Sequence, residues 1–363
     1  MKSRDEKPSI RVLVVDDSAF MRTALSRMIA TDSELLVAGT AVNGDDALQK
    51  IPDLDPDVIT LDMEMPGMNG LETLGCIMSK FPRPVVMVSS ATVKGAETTL
   101  DALEAGAFDY VPKQLSSTSL NILHIREDLI RKIKAAGESR HSMRYLELSR
   151  KAPRAVELPA RRGSHAPPAI IAIGISTGGP KALQEVLPTL PGDLSAPIVV
   201  VQHMPPGFTE PFARRLNTLC PAAVREAAHG ESAKPGVIYI APAGCHTTIE
   251  RSTNSRITIC LSDKPENQLH VPSADVMMQS VASAFGSLAM GIIMTGMGSD
   301  GAQGMSAIHQ QGGLTVGQDE LTSTVYGMPR VCAEMGILDR IVPLSQIPYE
   351  IMQATNYHKA SVG

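Results

Sequence analysis

The sequence predicts an α/β fold in two domains, and three observations lead there. Short apolar runs alternate with helix-length segments along most of the 363 residues. Several runs, RVLVV and AIIAIGI among them, are continuous rather than alternating, as strands buried on both faces of a parallel sheet require. Between them, residues 137–168 break the pattern. There Arg140, Arg144, Arg150, Arg154, Arg161 and Arg162 accumulate beside Pro153, Pro159, Pro167 and Pro168, with few apolar residues. This is read as a basic, proline-containing linker dividing a domain at 8–136 from one at 169–357. Its charge could dock an acidic partner, although a solvated hinge needs none.

In the first domain the strand–helix pairs run in order: RVLVVDD then SAFMRTALSRMIA, LLVAGTA then GDDALQKI, DVITLDM then LETLGCIMSKF, PVVMVSS then GAETTLDALEAG, and FDYVPK then LNILHIREDLIRKIKAAG. Ile122, Ile125, Leu129 and Ile133 give the last helix its apolar stripe, with Ser119 as expected N-cap and Gly137 as expected stop. The second domain offers AIIAIGIS, PIVVVQH, VIYIAPAG, ITICLS, MGIIMTG and LTVGQD, expected as a doubly wound, mostly parallel, Rossmann-like sheet. VIYIAPAG and ITICLS lie close enough in sequence to pair instead as an antiparallel hairpin.

Composition narrows the function. A net charge of −5 supplies no global positive field for a phosphate backbone, which disfavours a general nucleic-acid binder. Aromatics make up only 3%, with no Trp, so few rings could stack on bases. The five cysteines are widely spaced with no C-x-x-C pair, and the N-terminus MKSRDEKPSI lacks the apolar core of a signal peptide. Reduced thiols in a cytoplasmic monomer are expected. The stretch between Asp275 and Asp300 carries no formal charge and raises the question of a membrane span. Gln279, Ser280, Ser283, Ser287 and Thr295 dilute it, and it divides better into a helix near 274–285 and a buried strand near 289–295.

Asp16 and Asp17 end the first strand, Asp62 the third and Ser89 the fourth, while Lys113 follows the fifth. In a right-handed parallel sheet these ends converge at one edge. Three carboxylates there suit a hard cation such as Mg²⁺, and a hydroxyl and an ammonium complete a pocket able to neutralise a phosphoryl group on Asp62. Any one of these acids could be a solvated loop residue, but five matching strand ends are harder to dismiss. The order Asp16-Asp17, Asp62, Ser89, Lys113, with DMEMPGMNG after the third strand, resembles the response-regulator receiver family. That resemblance implies a flavodoxin-like (βα)5 fold and Mg²⁺ held by Asp17 and Asp62 with Asp16 assisting. It also implies phosphate accepted at Asp62 from a histidine kinase, and a switch aromatic at Tyr110.

In the second domain G-I-S-T-G places Ser176 on a tight turn between a buried strand and a helix-like segment. A serine needs a base, and His203 ends the next strand. His229, His246, His270 and His309 are rivals, His246 the better of them and His229 and His309 the weaker. Asp300, after the strand GIIM, could orient His203, and the loop's backbone N–H groups, Met297 among them, could face an oxyanion. A competing reading is a dinucleotide site, because Gly296, Gly298 and Gly301 spell G-x-G-x-x-G with Asp319 and Glu320 nearly 20 residues on. A phosphorylation-controlled binding module with a structural Ser176 is a further alternative.

The motifs GISTGGP, QHMPPGFT, HVPSADV and MTGMGSDGA together resemble the chemotaxis protein-glutamate methylesterase family of CheB type. The resemblance implies Ser176 as nucleophile, His203 as base and Asp300 as orienting acid, with Thr177, Met297 and His270 near the site. It further implies esterase and glutamine deamidase action on chemoreceptor helices with no cofactor for the esterase, and a receiver that covers the active site until Asp62 is phosphorylated. Ile175 stands where the family has alanine, which leaves the chemistry in place.

Overall fold

A computed structural model describes residues 9–89, 93–113, 125–139, 165–266 and 268–357. These fall into two compact units, one up to residue 139 and one from residue 165.

In the first unit, β1 (Ile10–Val15), β2 (Leu35–Ala41), β3 (Val58–Asp62), β4 (Val85–Ser89) and β5 (Asp109–Pro112) form one sheet in the order β2-β1-β3-β4-β5. Every pair is parallel. The helices α1 (Ala19–Ile29), α2 (Gly44–Leu54), α3 (Gly70–Lys80) and α4 (Val93–Glu104) connect them. The strand order reverses between β1 and β3, so the residues at those two strand ends, Asp16 and Asp62, face one crevice. The turn that follows Asp62 is tight: a Cβ on Gly70 would lie 2.7 Å from Met63 Cα, and Asn69 with Glu72 closes a reciprocal capping box on α3.

Residues 125–139 form α5, whose Leu129 and Ile133 are fully buried against Val12, Val14, Leu25 and Val111. The helix continues past the expected stop at Gly137. Glycine there serves packing instead, because a Cβ would come within 2.7 Å of the Ile10 side chain on β1. Ser119 and Ile122 lie outside the described residues.

The second unit contains β6 (Ile170–Ile175), β7 (Ile198–Gln202), β8 (Ala223–Glu226), β9 (Val237–Ile240), β10 (His246–Arg251), β11 (Ile257–Ser262), β12 (Ala289–Ile293), β13 (Leu314–Gln318) and β14 (Arg340–Val342). Seven of them build a sheet in the order β14-β13-β12-β6-β7-β9-β8, parallel throughout. All residues of β6, β7 and β12 are buried, which accounts for their continuous apolar runs. Helices α6 (Gly179–Val186), α7 (Thr209–Leu219), α8 (Ala274–Phe285), α9 (Ala302–Gln310), α10 (Met328–Glu334) and α11 (Ile347–Ala354) complete the unit.

The antiparallel hairpin exists with a different partner. ITICLS pairs with His246–Arg251, whereas VIYI belongs to the parallel sheet between β7 and β8. The uncharged stretch after Asp275 is α8 followed by β12, and among the described residues no helix is long and apolar enough to cross a membrane.

Candidate functional site

Two constellations stand at strand ends, one in each unit. In the first unit the nearest carboxylate oxygens of Asp16, Asp17 and Asp62 lie within 4.8 Å of one another. Backbone N–H groups two residues on hold one oxygen of each buried acid: Ser18 donates to Asp16 Oδ1 at 2.9 Å and Glu64 to Asp62 Oδ1 at 3.1 Å. The other oxygens face Lys113, whose Nζ is 2.5 Å from Asp62 Oδ2 and 3.2 Å from Asp16 Oδ2. Burial pushes the Asp62 carboxyl up to about 6, Lys113 pulling it down and Asp16 repelling it upward. Burial would lower Lys113, but Asp62 and Asp16 outweigh it and hold the ammonium above its ordinary value. Three carboxylates against one ammonium leave an excess of negative charge on hard oxygen donors, and a divalent cation fits that deficit.

Ser89 is buried at the end of β4, with Thr99 Oγ1 2.8 Å from its hydroxyl, and its carbonyl accepts from the Lys113 N–H at 2.7 Å. Tyr110 is buried on β5, with Lys132 Nζ over its ring at 5.1 Å from the centroid.

In the second unit β6 is the centre from which successive strands depart in both directions, β7 on one side and β12 on the other. Loops after these three strands therefore open a crevice at their carboxyl ends. Ser176 follows β6, His203 follows β7, and Asp300 lies in the loop between β12 and α9. Register brings the first two side by side, since Ile175 pairs with Gln202 and the His203 N–H donates to the Ile175 carbonyl at 3.1 Å. The Gln202 amide donates to the carbonyls of both Ser176 and His203 at 3.0 Å, tying the two strand ends together.

The elbow after β6 needs its glycines. Gly178 has φ +77°, and a Cβ on Gly296 would lie 2.8 Å from Ser176 Cβ and overlap Met328 Sδ. The Ser176 N–H donates to the Thr295 carbonyl at 3.0 Å, and the Thr295 hydroxyl donates to the Thr177 carbonyl at 2.9 Å. Thr177 is buried, whereas Met297 is half-buried in the loop after β12.

His203 Nε2 donates to Asp300 Oδ2 at 2.7 Å, which leaves the buried Nδ1 as the basic nitrogen. The His270 ring stacks on it with centroids 4.1 Å apart. Asp300 also accepts from the Ser273 hydroxyl and the Ala274 N–H, each at 2.7 Å, and from the Asp275 N–H at 3.0 Å. These donors are the N-terminus of α8. Burial alone would raise the Asp300 carboxyl, but His203 and the α8 donors hold it far below the usual carboxylate range. Asp275 returns the favour, accepting from the Gly304 N–H of α9 at 2.8 Å.

Sequence reading missed Gln202, Ser273, Asp275 and Thr295 as supports. Gln202 carried a signal, a buried amide closing the apolar run IVVVQ. Of the rival histidines, His270 stacks on His203 and His246 is fully buried behind Ser273, whereas His229 Nδ1 accepts from the Leu261 N–H at the hairpin and His309 lies 4.0 Å from Asp339. The G-x-G-x-x-G run does join a strand to a helix, yet Asp300 fills it with a committed carboxylate that would repel a pyrophosphate.

Residues 171–351 match the CheB methylesterase family and residues 12–123 the response regulator receiver domain. The protein-glutamate methylesterase/protein-glutamine glutaminase 2 of Nitratidesulfovibrio vulgaris is 46% identical, over 94% of this chain and 98% of that protein. The corresponding protein of Pyrococcus abyssi is 45% identical, over 95% and 93%. The crystal structure of the Thermotoga maritima CheB methylesterase catalytic domain is 38% identical with a TM-score of 0.50, covering 51% of this chain and 98% of that one. With both family matches in this order and relatives aligned along nearly its whole length, the chain belongs to the CheB methylesterase family and carries a receiver domain ahead of the methylesterase domain.

Proposed function

We propose that the protein is a phosphorylation-activated hydrolase that demethylates glutamate γ-methyl esters, and deamidates glutamines, on the cytoplasmic helices of chemoreceptors. The observation that carries this reading is the 2.7 Å pair of His203 with Asp300 beside the strand-to-helix elbow that bears Ser176. In the proposed mechanism His203 Nδ1 takes the Ser176 proton as Oγ attacks the ester carbonyl, and Asp300 stabilises the imidazolium. Backbone N–H groups around Thr177 and Met297 receive the oxyanion, with His270 packed on the base. The proton then passes to the leaving oxygen, methanol departs, and an acyl-enzyme remains. Water attacks it by the same base, restoring Ser176 and leaving a glutamate; with glutamine the leaving group is ammonia.

The receiver domain, extending through α5 rather than ending at residue 136, would take a phosphoryl group onto Asp62 from a histidine kinase, and the basic segment beyond α5 would link it to the methylesterase domain, 169–357. Asp16, Asp17 and Asp62 would hold Mg²⁺, which when bound supplies charge neutralisation for phosphoryl transfer. Lys113 orients the acceptor by its ion pair, Ser89 offers a hydroxyl, and Tyr110 is the switch aromatic. The setting is a monomer in the cytoplasm, where kinase and receptor helices are both accessible.

The test is methanol release from methylated receptor membranes, with and without a small phosphodonor and Mg²⁺. Wild type should release methanol and do so faster with the phosphodonor, whereas Ser176→Ala should lose release by about 10³-fold or more. Equal release by the two proteins would remove Ser176 as nucleophile. Release indifferent to phosphodonor would remove the regulatory half.

A further inference from the structure

His246 opens β10, and its ring is fully buried, so it meets no substrate. Its position nevertheless connects it to the site. Nδ1 accepts from the Ser273 N–H at 3.2 Å, so the ring proton sits on Nε2. Ser273 is the N-cap of α8, in extended backbone, and its hydroxyl accepts from the Val276 N–H while donating to Asp300. The next two N–H groups also donate to Asp300. Three of the four donors on that carboxylate therefore belong to a turn whose N-cap N–H donates to His246.

We propose that His246 is a positioning residue for the hydrolysis: acting through Ser273, it aims the first turn of α8 at Asp300 and so fixes the orientation of His203. The inference rests on the esterase reading above. A buried N–H with no acceptor costs about 1–3 kcal/mol, enough to turn Ser273 away from its present geometry. The role requires a neutral ring, since an imidazolium has no lone pair at Nδ1. Burial lowers the His246 pKa and favours that form, against the Pro265 carbonyl and the charges of Asp300 and Asp263 that face it.

The experiment is the pH profile of methyl ester hydrolysis by the full chain, comparing wild type, His246→Leu, His246→Asn and Ser176→Ala. Leucine fills the space without an acceptor; asparagine puts Oδ1 near the place of Nδ1. His246→Leu should lower kcat by about 10- to 100-fold with KM nearly unchanged. The acidic limb of kcat/KM should move to lower pH, because a misaimed Asp300 stabilises the imidazolium less. His246→Asn should recover most of the activity and the limb. Wild-type kcat and limb in His246→Leu would overturn the proposal, as would His246→Asn as impaired as His246→Leu. If the leucine variant does not fold, His246→Asn alone decides, with near-wild-type turnover and limb supporting the proposal and a 100-fold loss overturning it. Hydrolysis that survives Ser176→Ala would instead indict the esterase reading, so the two failures are told apart.

Discussion

Asp300 is the residue on which the second constellation turns, because one carboxylate serves both His203 and the N-terminus of α8. Its folded-state pKa lies below the unfolded value, so it stabilises the fold above roughly pH 4 and that contribution fades as pH falls toward the folded value. Asp300→Ala should therefore lower the unfolding free energy by about 2–3 kcal/mol at pH 7 and by less at pH 3, as read by calorimetry at both pH values. The same variant should reduce turnover by about 10⁴-fold. A destabilisation that did not shrink on acidification would assign the loss to packing instead. Ser176, His203 and Asp300 were legible in the sequence because each follows a continuous apolar run, and the ends of parallel strands share one edge. Ser273 and Asp275 follow no such run, and His246 comes after VIYIAPAG but was read only as a rival base. Their part depends on where α8 and β10 pack, which no local pattern announces.

At the scale of elements, glycines decide how closely the loops approach. Gly296→Ala would force a Cβ to within 2.8 Å of Ser176 Cβ, so hydrolysis should fall by about 10²-fold and stability by about 1–3 kcal/mol. Gly75, exposed in α3 with open space around its would-be Cβ, provides the contrast: Gly75→Ala should stabilise by about 0.5–1 kcal/mol, measured by denaturant unfolding. The central strands were readable because they are buried on both faces. The edge strands β8 and β14, AVRE and RIV, and the hairpin strand β10, HTTIER, were not, since short, partly polar segments look like loop. That is why ITICLS found its partner in an unread strand.

For the whole molecule the division into two units has a thermodynamic consequence, because each carries its own buried cluster, Val12 to Ile133 in one and Ile170 to Ile337 in the other. Calorimetry should resolve two transitions, and Mg²⁺ should raise only that of the first unit, by about 2.7 kcal/mol at a hundredfold excess over Kd. Asp62→Asn should reduce that shift. A single transition raised by Mg²⁺ would mean that the units unfold as one.

The parallel sheets, the residues at their carboxyl edges and the family resemblance were legible from the residues alone, because burial on both faces writes continuous apolar runs and chemistry collects where they stop. Which strand lies beside which came from packing: β9 enters the parallel sheet while β11 turns to β10, and α8 presents its N-terminus to Asp300. The contacts of the α8 N-terminus join residues 25–27 positions apart, as from Ser273 to Asp300 or to His246, and packing rather than local periodicity sets them.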